Sequence, residues 1–91
     1  MMAKKVSRRD RVVAAGQLLF GETRWQSPLA RLCGLSPALM QKIADGTREV
    51  TDDVYSKVAQ ALLEEIERMK KATGRVGEIA GAMLADLDGE K

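Results

Sequence analysis

Few of the residue types that enzymes use to make and break bonds occur in this sequence. Cys33 is the only cysteine and there is no histidine, which leaves no intrachain disulfide, no ordinary structural zinc set and no histidine-based acid–base or nucleophilic triad. Carboxylates crowd together at Glu64, Glu65 and Glu67, but without a partner nucleophile, base or metal ligand near them in the chain. Neither catalysis nor a metal nor a cofactor is therefore expected.

The charges are more informative. Formal net charge is only +2, yet residues 1–48 hold nine Lys/Arg against three Asp/Glu, which is +6, while residues 49–91 hold six against ten, which is −4. Such polarity orients the first half toward a polyanion and leaves the second half for other contacts. The plainer reading is a solvated surface with an uneven scatter of charge.

These residues need a scaffold, and the composition narrows it. A chain of 91 residues holds one core, because burying enough apolar surface takes most of a chain this short. Hydrophobic residues make up 45% of the chain and aromatic ones 3%, with Phe20, Trp25 and Tyr55 the only rings. A core of Leu, Val, Ile, Met and Ala favours packed helices over a sandwich or barrel, so an all-α fold is expected. No apolar run approaches the roughly 18–20 residues of a membrane span, and the short basic start passes into charged sequence rather than an apolar signal core. A soluble cytoplasmic protein with a reduced Cys33 is expected.

Five helices can be read from the punctuation. Residues 1–6 form a basic arm, and Ser7 with Asp10 three residues on makes a weak capping pair for a first helix that runs to Phe20 before Gly21. The second helix begins at Gln26 or Ser27, with Pro28 in its first turn, and ends by Cys33. Gly34 supplies a tight turn, Leu35 plugs it, and Ser36 caps a third helix that opens on Pro37 and reaches Ala44 or Asp45 before Gly46. Thr51 caps a fourth helix with Asp52 and Asp53 in its first turn, reaching Lys70 or Lys71. Thr73 and Gly74 are expected to break it, and residues 76–87 to form a fifth. There are no internal repeats or low-complexity segments.

Residues 25–46 follow a stricter logic. Two short helices crossing steeply need a small residue at closest approach, which Ala30 provides, and a turn residue without a side-chain clash, which is Gly34. They also need one apolar seam, which Leu29, Cys33, Leu35, Met40 and Ile43 supply. What remains on the third helix is polar or small. The segment resembles the helix-turn-helix of the lambda-repressor and Cro-like (Xre-type) superfamily, tightly over residues 25–46 and loosely over residues 7–72.

The resemblance implies a bacterial or phage-type DNA-binding domain, residues 7–72, whose third helix enters the major groove. Ser36, Pro37, Ala38, Gln41 and Lys42 are then the candidates for base contacts. Gln41 can read adenine through two hydrogen bonds and Lys42 can reach guanine acceptors, while either could instead end on a phosphate. Pro37 and Ala38 offer only van der Waals contact, a sparser reading face than polar-rich members of the family present. Arg24, Gln26 and Ser27 fall where the family grips the DNA backbone, and Thr47 and Arg48 where its loop meets the far phosphate. Trp25 either donates its indole N–H to the backbone or lies as a lid on the core. Lys4, Lys5 and Arg8, with Arg9 and Arg11, make either a phosphate or minor-groove arm or a soluble tail.

Two half-sites about one turn of DNA apart require a dimer. Residues 73–91 carry the candidate element, with Val76, Ile79, Ala80, Met83, Leu84 and Leu87 on one face, joined by Ile66 and Met69 from the fourth helix. Folding back onto the chain's own core is the alternative. The function implied is a homodimeric, nucleoid-associated transcriptional repressor acting on an inverted-repeat operator, its own promoter included. The competing function is an antitoxin or antiactivator that works by binding a toxin or another regulator.

Overall fold

The computed structural model describes residues 6–89. Lys4, Lys5 and the rest of the arm up to residue 5 lie outside the described residues. The first helix, α1 (Arg8–Phe20), begins where the Ser7 hydroxyl accepts the backbone N–H of Asp10 at 3.0 Å. Its stop is Gly21 at φ 95°, whose N–H reaches the Gln17 carbonyl at 2.9 Å. α2 (Gln26–Cys33) and α3 (Pro37–Asp45) follow, and both end on a glycine in the left-handed conformation, Gly34 at φ 70° and Gly46 at φ 82°. In each case the residue after the glycine closes the turn. Leu35 N–H donates to the Ala30 carbonyl at 2.8 Å and Thr47 N–H to the Lys42 carbonyl at 3.0 Å, so the last helical carbonyls are satisfied within the chain. Thr51 accepts the Val54 N–H at 3.3 Å and opens α4 (Asp52–Gly89). The described residues are all-helical and contain no strand.

The core lies where α1, α2, α3 and the start of α4 converge. Leu29, Ala30, Met40 and Ile43 are fully buried, with Val12, Trp25, Cys33, Val50, Val54, Val58 and Ala61 packed around them. The expected seam of Leu29, Cys33, Met40 and Ile43 is therefore the centre of the molecule, while Leu35 is half-buried. Burying one such aliphatic side chain contributes roughly 1.5–3 kcal/mol. Trp25, 3% exposed, is the lid of the two readings. Its ring lies against α1 at Gly16, where an added Cβ would sit 2.2 Å from Trp25 Cε3. A glycine inside a helix costs about 1 kcal/mol relative to alanine, and here that cost admits the indole.

The five-helix layout is corrected to four. No break occurs at Thr73–Gly74, and residues 76–87 are the continuation of α4 rather than a separate helix. The domain boundary expected between residues 72 and 73 thus falls inside a helix. A helix stop needs a cap, a left-handed residue or a proline, and this stretch has none. Gly74 is absent from the positive-φ residues and both prolines lie upstream, at 28 and 37. Lys70, Lys71 and Ala72 before it, and Glu78, Ile79 and Ala80 after it, keep the helix continuous, and one or two glycines at about 1 kcal/mol each do not end it. Nor does the segment fold back. Of residues 62–89 only Leu62 and Glu65 are even half-buried and the rest are exposed. At about 1.5 Å per residue, the 38 residues of α4 account for most of the 62 Å long axis of the molecule. Among the described residues no helix is long and apolar enough to cross a membrane.

Candidate nucleic-acid interface

α2 and α3 are joined by residues 34–36 and share the largest contact between elements in the molecule. Met40 and Ile43 pin α3 to the core, which leaves the opposite side of the helix to solvent. Pro37, Ala38, Gln41 and Lys42 are all exposed there, and Ser36 is exposed at the cap. All five expected reading residues therefore share one open edge of the molecule. Ser36 is partly committed, because its Oγ accepts the Leu39 N–H at 3.1 Å. Its hydroxyl proton remains available to a ligand.

Gln41 has a neighbour that the sequence reading passed over. Its Nε2 donates to Asp45 Oδ1 at 3.1 Å, one helical turn on. The carboxylate fixes the amide's orientation and leaves Oε1 and one N–H free, while adding a negative charge to the same face. An i,i+4 Gln–Asp pair on a helix is a pattern visible in sequence.

The backbone-gripping candidates divide into two groups. Gln26 and Ser27 stand at the start of α2, whose cap residue Trp25 is in the helical conformation and makes no side-chain cap. The first N–H groups of α2 therefore have no side-chain acceptor, the arrangement that suits an anion at a helix N-terminus. Arg24, just before them, is exposed and held at φ 60°, a left-handed conformation unusual for a side chain of its size. Thr47 and Arg48 lie exposed after α3, and Thr47 Oγ1 donates to the Lys42 carbonyl at 3.2 Å.

Arg8 stands apart from the other candidates. Its guanidinium donates to the Val50 carbonyl at 3.2 Å, pairs with Asp52 at 2.7 Å and lies 4.8 Å from the centre of the Tyr55 ring. It ties α1 to the start of α4. Arg9 does the same for α3, donating through Nε at 3.0 Å and through Nη2 to the Ala44 carbonyl near that helix's end, where a cation complements the helix dipole. Arg8, Arg9 and Arg48 border one shallow groove with Gly46 and Val50, so three cations gather beside the end of α3, tempered by Glu49 and Asp52. Neither tie was legible in sequence, since the partners are 42 and 35 residues away.

Cys33 lies in the seam between α2 and α3, and burial pushes its thiol above the ordinary cysteine range. A protonated, covered thiol is a poor nucleophile. Among the described residues no cluster of Cys, Asp and Glu is placed to hold a metal ion. In comparisons with known proteins, the chain gives no significant match to a family model, a curated protein or a solved structure.

Proposed function

We propose that this chain is a sequence-specific DNA-binding transcriptional regulator, a homodimeric repressor that reads an inverted-repeat operator with α3 of a lambda-repressor-like helix-turn-helix. The observation that carries the reading is the two-sidedness of α3. Met40 and Ile43 anchor it at 0% exposure, while Ser36, Pro37, Ala38, Gln41 and Lys42 form an unobstructed outer edge. A helix held this way fits the roughly 12 Å width of the DNA major groove. The uncapped start of α2 with Gln26, Ser27 and Arg24 on one flank, and Thr47 and Arg48 on the other, supplies phosphate contacts on either side of the reading helix. Arg8 serves the fold first, through Asp52 and Val50.

Titration against the DNA upstream of the chain's own gene, over a range of salt, tests this reading. Lys42→Ala is expected to relax discrimination by roughly 1–3 kcal/mol if Lys42 reads a base edge, and Arg48→Ala to weaken all sites alike and reduce the salt slope by about one. Binding with no salt dependence and no preference among sequences would remove the proposal.

One observation favours a second reading. The apolar stripe of α4 beyond Leu62 is exposed along its whole length, a surface that an antitoxin or antiactivator would use for a toxin or another regulator. Copurification of the chain in a fixed ratio with such a protein would favour that reading.

A further inference from the structure

From Leu62 onward the apolar stripe of α4 advances alternately by four and three residues, through positions 62, 66, 69, 73, 76, 80, 83 and 87. This is a seven-residue repeat, the spacing that keeps one seam of a helix against a second helix. We infer that two copies of this chain pair through α4 in antiparallel orientation, Leu62 of one opposite Leu87 of the other. In this pairing the end of each α4 fills the apolar groove between α1 and α4 of the other copy.

The layers choose the direction. In a parallel pair each position meets itself, so Ala80 faces Ala80 and leaves a void, while Met69 faces Met69 and Met83 faces Met83. Reversing one helix about a point between residues 74 and 75 sets Ala80 against Met69, Thr73 against Val76, Ile66 against Met83 and Leu62 against Leu87. The small Ala80 then meets the large Met69, and the remaining layers pair side chains of similar size. The flanks agree. Leu63 and Leu84, each 66% exposed, fall opposite one another, and the stem of Lys70 crosses Gly77, where an added Cβ would meet nothing within 4 Å.

The head supplies an independent reason. Ala15, Leu18 and Leu19 of α1 line a mostly apolar groove with Leu62, Glu65 and Ile66 of α4, and Leu18 is 87% exposed. Only the antiparallel pair brings Met83 and Leu87 of the second copy level with this groove, since a parallel pair leaves them about 37 Å away, 25 residues at roughly 1.5 Å each. The one like-charge meeting is Asp86 with Glu65. Arg68 already neutralises Glu65 through two hydrogen bonds at 2.7 and 2.6 Å.

The inference rests on the homodimer of the proposed function but not on groove reading, and its test uses no DNA. Leu63→Cys and Leu84→Cys chains are purified separately, mixed in equal amounts and oxidised, with wild type as the control for Cys33. The mixture is expected to form the interchain disulfide about tenfold faster than either variant alone, because pairing raises the local thiol concentration. Leu87→Cys alone is expected to stay uncrosslinked. A disulfide in Leu87→Cys alone would establish the parallel pair and overturn the inference. So would a monomeric mass by light scattering, or an equal rate in mixed and unmixed samples, either of which leaves the stripe to some other partner. Unchanged DNA discrimination in α3 variants with the crosslink intact would count against groove reading alone.

Discussion

Residues 7–61 and residues 62–89 are both helical, yet different physics holds each of them. In the first region every helix end but the start of α2 is capped, each turn glycine has its hydrogen bond, and eleven hydrophobic residues are buried. In the second the helix runs on with its apolar residues open to solvent, Val76 at 64% and Leu87 at 60% exposure. This stretch therefore lacks the tertiary packing that supplies most helical stability in proteins. The head buries its apolar residues within one chain, whereas the tail leaves its own exposed.

The contrast is sharpest between two isoleucines. Ile43→Ala in the head is expected to cost about 2–5 kcal/mol through the cavity it opens. Ile79→Ala, at 56% exposure in the tail, is expected to change a dilute chain by less than about 0.5 kcal/mol and to show itself only as a weaker concentration dependence of Tm. Urea melts for the free-energy losses, and thermal melts of both variants at two protein concentrations for Tm, check this. Equal losses would erase the distinction between the regions.

Glycines give the next largest contrast, and opposite signs. Gly16→Ala drives a methyl into the Trp25 ring and is expected to lose about 1–3 kcal/mol, despite better helix propensity. Gly74→Ala meets nothing within 4 Å and is expected to gain roughly 0.5–1 kcal/mol of helix stability. Thermal melts of the two variants decide the matter.

Much of the head was legible because its signals are local. Ser7, Gly21, Gly34, Ser36, Gly46 and Thr51 each mark a helix end within a few residues, so α1, α2 and α3 lie where the sequence places them. The fourth helix misled because Thr73 and Gly74 resemble a stop. The unbroken four-and-three spacing from Met69 through Thr73 to Val76, and the lack of a following proline, were the better guides. For the candidate site, the outward set on α3 followed from periodicity. The Arg8 and Arg9 ties did not, since they depend on the approach of elements far apart in the chain, and Asp45 was missed although it stands one turn from Gln41.

The smallest expected effect concerns pH in the tail. A hydrogen bond and the charge of Arg68 hold the Glu65 carboxyl below the ordinary glutamate range. Its contribution is therefore complete above the unfolded glutamate pKa and fades as pH falls through the lowered folded value. Helical circular dichroism should decline slightly over that acidic window, and Glu65→Gln should flatten the decline.

The most direct measurement of the central claim is the binding of wild type and Gln41→Ala to a set of operators altered one base pair at a time. If α3 reads the groove, the variant loses roughly 1–3 kcal/mol of discrimination at one A·T position and keeps it elsewhere. Uniform weakening at every position, or none, would contradict an α3 that stands in the groove with Gln41 facing the bases.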